Sequence, residues 1–332
     1  MPGKRQAIAD LMELGRAWFE VMVLGRRRPL FAEWNLTFRC NLRCRYCGAH
    51  DAPRKELTCD EILRGLDQLR ALGARWITFG GGEPLLRNDL DEILKHAKTR
   101  GFHVFLSTNG WLLPQKAKVL EWVDHVNISI DGGRDVHNAV RGAGAFERST
   151  EALNVCRQRG VDVSLLFVLS SENLDSVTES IEIARENRCT VMFQPATAWL
   201  DSSTEPNPLA PPVDEYRKTV QELIVLKKAG APIRNSIPGL RHLARWSAPT
   251  RLWCSAARLT LTVEPDGALL ACHQAQVGAF LAGQHAGGDI AEQYARTRAP
   301  KDCRQCWCAP MVELALVISL RPGAVLNAFR TL

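Results

Sequence analysis

The chain has 332 residues, of which 46% are hydrophobic and 23% charged, and a formal net charge of +6. These are the proportions of a soluble globular protein with enough chain for one to three compact units, and they exclude a largely disordered, collagenous or multi-span membrane protein. The mild positive balance fits acidic ligands or an anionic membrane surface and is too weak to indicate nucleic acid.

Over residues 1–29, Ile8, Leu11, Met12, Gly15, Trp18, Phe19 and Met22 fall on one helical face, followed by Arg26, Arg27 and Arg28. The favoured reading is an amphipathic helix packed on the base of a barrel; the alternative is a membrane-surface helix with a basic collar. Acids and arginines interrupt any secretory apolar core, and no apolar run reaches bilayer length, so a cytoplasmic location is expected, with peripheral membrane contact still in play.

Short apolar runs follow at 31–36, 76–79, 103–106, 126–130, 163–169 and 191–193. Helical patterns separate them at 60–72, 90–99, 115–122, 146–159 and 174–187. Strand alternating with helix is the signature of βαβ units, hence an α/β class with a parallel sheet. Six such strands predict a partial (β/α)6 barrel of TIM type over 30–235, with ligand chemistry at the carboxyl ends of the strands. A proline-rich loop at 201–212 and a helix at 213–228 complete it. Then 259–264, Pro265-Asp266-Gly267 and 268–272 read as a β-hairpin within a small unit at 250–310. An apolar helix or tail closes the chain at 311–332.

The 11 cysteines are grouped. Cys40, Cys44 and Cys47 follow the first strand, and Cys254, Cys272, Cys303, Cys306 and Cys308 surround the hairpin. Without export thiols stay reduced, so clustered cysteines read as metal ligands. Three thiolates on one tight loop can wrap three irons of a [4Fe–4S] cluster and leave the fourth open; an incomplete zinc loop is the alternative. The scattered Cys59, Cys156 and Cys189 read as small buried hydrophobes.

With this cysteine triplet, Gly80-Gly81-Gly82-Glu83-Pro84 after the second strand, Ser107-Thr108-Asn109-Gly110 after the third and Ser129-Ile130-Asp131-Gly132 after the fourth, residues 30–195 resemble the radical S-adenosylmethionine superfamily. His137, Arg141-Gly142 and Gly144-Ala145-Phe146 extend the likeness. The resemblance implies a cluster on Cys40, Cys44 and Cys47, with Glu83 and its glycines on the methionyl amine of the cofactor. Tyr46, Gly81, Gly82, Pro84, Ser107, Asn109, Ser129, Asp131 and Arg141 would complete the S-adenosylmethionine pocket. One electron would then give a 5′-deoxyadenosyl radical that takes a hydrogen from the substrate, with a flavodoxin- or ferredoxin-type reductant as partner.

The late cysteines resemble the auxiliary-cluster unit called twitch, a shortened relative of the SPASM domain. That implies one auxiliary [4Fe–4S] cluster on Cys254, Cys272, Cys303 and Cys306, with a four-cysteine zinc site as the alternative. Cys308 either replaces Cys306 or stays a free thiol able to exchange a hydrogen atom. His273 and the tryptophans Trp246, Trp253 and Trp307 are candidates to flank that cluster or the substrate. The substrate reading is biosynthetic oxidation or rearrangement of a small or lipid-like molecule. Alternatives are a ribosomal-peptide maturase and, from another class, a non-catalytic iron–sulfur electron carrier or scaffold.

Overall fold

In a computed structural model, the structure describes residues 4–47, 55–198, 206–272, 289–299 and 303–331. The six alternating runs are strands: β1 (Phe31–Asn35), β2 (Trp76–Gly80), β3 (His103–Thr108), β4 (His125–Ser129), β5 (Asp162–Leu169) and β6 (Thr190–Pro195). The helices are α1 (Lys4–Met22), α2 (Cys59–Leu72), α3 (Leu90–Thr99), α4 (Arg134–Arg141), α5 (Ala145–Arg159), α6 (Val177–Glu186), α7 (Val213–Lys228), α8 (Ile237–Leu243), α9 (Ile290–Arg296), α10 (Ala309–Ile318) and α11 (Pro322–Thr331). The helix expected at 115–122 is a 3₁₀ segment, Ala117–Trp122.

Successive strands pair in parallel from β1 to β6, so their carboxyl ends share one rim. Alternation along each strand sends one set of side chains outward, beneath the helices. Trp34, Phe79, Leu106, Ile128, Phe167 and Phe193 belong to that set and are fully buried in one core. Burying each stabilises the fold by about 1.5–3 kcal/mol. The inward set is more polar, with Glu33, Thr78, Asn127 and Gln194 only partly buried. Helix starts follow local chemistry: Thr58 and Glu61 form a reciprocal cap on α2, and Gly73 ends it in the left-handed region.

The hairpin is present as β7 (Thr260–Val263) and β8 (Leu269–Leu270). It does not stand apart from the barrel. β7 pairs in parallel with β1, giving one sheet in the order β6-β5-β4-β3-β2-β1-β7-β8. All four β7 residues are buried, so the strand needs a neighbour on both sides and takes the open edge of β1.

α1 closes the barrel base through a face that shares only Trp18 and Met22 with the stripe read in the sequence. Leu14, Ala17, Trp18 and Val21 pack against Leu30, Leu259 and Ile318. Trp18 Nε1 donates to the Ile318 carbonyl at 2.8 Å, and Asp10 pairs with His103 at 3.0 Å. Ile8, Leu11, Met12 and Phe19 are instead exposed. The helix carries two apolar stripes, and periodicity alone does not say which one meets the core. Nor do all three arginines form a free collar. Arg28 is paired with Glu13 and Glu20, and Arg27 lies over the Tyr294 ring at 4.2 Å while donating to the Ala257 carbonyl. Among the described residues no single helix is long and apolar enough to cross a membrane.

Candidate functional site

At the common rim, the loop after β1 carries Cys40, Cys44 and Cys47, and the loop after β2 carries Gly80–Pro84. The two loops are stitched backbone to backbone: Gly82 N–H donates to the Thr37 carbonyl and Glu83 N–H to that of Arg39, both at 2.8 Å. A Cβ on Gly81 would lie 2.6 Å from the Thr37 oxygen, and one on Gly82 2.2 Å from the Arg39 oxygen. The glycines are therefore required by contact with the cysteine loop itself.

Glu83 is fully buried. Its Oε1 accepts from Thr108 Oγ1 at 2.8 Å and Leu85 N–H at 3.1 Å, and its Oε2 from Asn109 N–H at 2.8 Å. The carboxylate thus caps the short turn Pro84–Leu86 and ties the β2 loop to the end of β3. Asn109 Nδ2 in turn donates to Asn41 Oδ1 at 3.0 Å and to Cys40 Sγ at 3.8 Å. Burial pushes Glu83 up to about 7 from an ordinary 4.5, against the hydrogen bonds that favour its charge. A pKa lifted by folding makes a contribution to stability that is fully present below the unfolded value and is lost as pH rises through the folded one. Relative to Glu83→Gln, the stability of the apoprotein is expected to fall by roughly 3 kcal/mol between pH 4.5 and about 7. Urea unfolding across that window measures it; parallel pH curves for the two proteins would contradict the assignment.

Asp131, after β4, is also fully buried. Its Oδ2 accepts from Arg141 Nε at 2.6 Å and Tyr46 Oη at 2.8 Å, and its Oδ1 from Val168 N–H at 2.9 Å. Arg141 also reaches the Tyr46 hydroxyl, and its Nη1 lies 3.9 Å from Cys44 Sγ. The Asp131 N–H donates to His137 Nδ1 at 3.0 Å; burial first, then Arg141, pushes His137 down to about 4, so the ring is neutral. Ser107 and Ser129 lie partly buried on the inward face of β3 and β4, Ser107 accepting from Asn127 Nδ2 at 3.3 Å. Burial raises the Cys40 and Cys44 thiols, with the Arg141 cation opposing it more at Cys44.

The late cysteines lie near one another. Cys254, Cys303 and Cys306 are close enough for each one's charge to raise another's thiol pKa. Cys308 is buried at the start of α10, where Glu33 of β1, Cys272 and Cys306 oppose its ionisation after burial itself. Trp307 lies tilted against His242 with ring centroids 5.3 Å apart, Trp246 is buried against Tyr216, and Trp253 joins the barrel base. His273 lies outside the described residues. Cys59, Cys156 and Cys189 pack on the core, where burial pushes their thiols to about 11 or 12.

Residues 34–184 match the family model described as the Radical SAM superfamily. The chain carries a Radical SAM domain. It is 34% identical over 162 residues to the Fe-coproporphyrin III synthase of Methanosarcina barkeri, covering 47% of this chain and 41% of that protein. It is 29% identical over 273 residues to the mycofactocin maturase MftC of Mycolicibacterium smegmatis, covering 78% of this chain and 68% of that one. Among solved structures, Streptococcus suis SuiB bound to S-adenosylmethionine shares the fold with a TM-score of 0.63 at 15% identity, over 78% of this chain and 64% of that one. The Radical SAM domain thus spans β1 to α6, and β6 and β7 extend its sheet on either edge.

Two ties in the Radical SAM domain were not anticipated from sequence. Glu56 accepts from Thr37 Oγ1 at 2.7 Å and Phe38 N–H at 2.9 Å, anchoring the start of the cysteine loop. Asn173 Nδ2 donates to the carbonyls of Asp131 and Val168. The only sequence signal for Glu56 is an acid just ahead of a helix cap; Asn173 has none.

Proposed function

We propose that this chain is a radical S-adenosylmethionine enzyme that reductively cleaves its cofactor and abstracts a hydrogen from a substrate. Cys40, Cys44 and Cys47 would ligate a [4Fe–4S] cluster. The donor set fits: three thiols on one loop, met by Leu42 N–H and Asn109 Nδ2 at Cys40 and by Arg141 at Cys44, donors that favour anionic sulfur. Among the described residues no three Cys, His, Asp or Glu side chains converge as the ligands of a single ion do. One thiolate per iron, spaced by a cluster, suits that arrangement. When bound, the cluster and S-adenosylmethionine supply the one-electron chemistry that the side chains lack. The protein's part is to orient and exclude water. Glu83 and Asp131 fix the rim loops and, with Tyr46, Ser107, Asn109, Ser129, Arg141 and the Gly81–Pro84 loop, are proposed to line the S-adenosylmethionine pocket. The observation that carries the reading is the direct stitching of the glycine loop to the cysteine loop inside a Radical SAM domain.

Cys254, Cys272, Cys303 and Cys306 are proposed to hold one auxiliary [4Fe–4S] cluster in a twitch-like unit, with Cys308 a thiol beside it. The substrate is proposed to be a small or lipid-like molecule. A peptide is the second reading, favoured by the longest of the matches above, to a maturase. Anaerobically reconstituted protein with a strong reductant and S-adenosylmethionine is expected to give 5′-deoxyadenosine, and Cys40→Ala, Cys44→Ala or Cys47→Ala to give none. Iron and sulfide at about eight each per chain are expected. About four irons with about one zinc would replace the auxiliary cluster by a zinc site.

A further inference from the structure

Of the nine large apolar side chains exposed among the described residues, six lie between Ile8 and Leu24. Ile8, Leu11, Met12 and Phe19 recur at helical spacing along α1, and Val23 continues the stripe. The Trp18 bond to the Ile318 carbonyl brings the α10–α11 corner alongside, with exposed Leu320 and Arg321. The charges here are segregated. Every carboxylate of α1 is engaged by a basic side chain: Asp10 by His103, Glu13 by Arg28, and Glu20 by Arg28 and Arg16. Arg26 and Arg321 project into solvent near the stripe, and Arg16, paired with Glu20, lies beside it.

We propose that this face is a docking surface for an anionic lipid bilayer. Charge complementarity selects the occupant, because the apolar stripe is rimmed by cations and its helix leaves no carboxylate unengaged. Size argues against a second copy of the chain. Fifteen residues of helix extend about 22 Å, and a stripe about 10 Å wide offers roughly 220 Å², where a stable dimer buries about 800 Å² per partner. Docking through α1 sets the barrel base against lipid and keeps the rim, at the opposite end of the strands, open to solvent.

Flotation of the full-length reconstituted protein with vesicles of phosphatidylcholine, alone or mixed with phosphatidylglycerol, tests this. The protein is expected to float with the anionic vesicles, not with the neutral ones, and less as salt rises. Met12→Glu with Phe19→Glu, both exposed, should weaken flotation at least tenfold with iron content and circular dichroism unchanged; Arg26→Gln with Arg321→Gln should weaken it at anionic vesicles without touching the stripe. No flotation with anionic vesicles, or equal flotation of both double variants and the parent, would overturn the proposal. So would a dimer in sedimentation that Met12→Glu with Phe19→Glu converts to monomer, since the stripe would then belong to a second copy.

Discussion

Replacing Asp131 with alanine is expected to cost the apoprotein about 3–5 kcal/mol and to prevent it from retaining iron at Cys40, Cys44 and Cys47. The carboxylate is fully buried and serves three donors: Arg141 Nε, Tyr46 Oη and Val168 N–H. Its removal leaves the buried Arg141 guanidinium without its counter-charge, the situation in which an ion pair is most costly to break. The damage is not confined to β4. Arg141 and Tyr46 tie α4 to the cysteine loop alongside the Arg45 N–H bond to the Val140 carbonyl, one touching Cys44 and the other lying between Cys44 and Cys47 in the chain. Asp131→Asn keeps the shape and one acceptor, so a loss of about 1–2 kcal/mol and partial iron retention are expected. Urea unfolding of the apoproteins and iron per chain after reconstitution measure both effects. An Asp131→Ala protein within about 1 kcal/mol of the parent, with full iron, would remove the tie from the account.

The strands were legible because each is a short apolar run bounded by turn residues, and burial on the helix side leaves an unmistakable record in Trp34, Phe79 and Phe193. The site loops were legible because glycines and cysteines stand at strand ends. What each motif residue touches was not. Sequence reading assigned Glu83 and Asp131 to the cofactor and gave no sign that their oxygens also serve Thr108, Asn109, Leu85, Arg141, Tyr46 and Val168. Four of the six contacts, those with Thr108, Asn109, Val168 and Tyr46, cross 25 to 85 positions of chain, and a local pattern carries no information about partners so remote. α4 was missed because its eight residues are mostly polar and its apolar face is only Val136, Ala139 and Val140, too short a stripe to read as a helix. The α1 stripe was right only at Trp18 and Met22, for the opposite reason: two apolar faces compete, and only the position of Leu30, Leu259 and Ile318 decides between them.

Gly82→Ala separates two reasons for a glycine-rich loop. If the residue is small to admit a cofactor, the apoprotein should tolerate a methyl group and only the demand for S-adenosylmethionine should rise. The geometry predicts otherwise. The added Cβ would meet the Arg39 carbonyl oxygen at 2.2 Å and the Phe38 oxygen at 3.0 Å, where ordinary contact begins at 3.4 Å. Both neighbours are backbone, so relief requires the two loops to part and strains the bonds from Gly82 to Thr37 and from Glu83 to Arg39. Overpacking of this kind costs about 1–3 kcal/mol, and each lost hydrogen bond about 1 kcal/mol more. Arg39 immediately precedes Cys40, so displacement at the glycine is passed directly to the first thiol. The Gly82→Ala apoprotein is therefore expected to lose about 2–5 kcal/mol and to retain less iron before any cofactor is added. Gly15→Ala is the control: nothing lies within 4 Å of its Cβ, the position is helical, and a gain of up to about 1 kcal/mol is expected. Iron content and unfolding midpoint, both measured without S-adenosylmethionine, decide between the two reasons. Unchanged values for Gly82→Ala would return the glycine to the cofactor and leave the stitched loops without energetic weight.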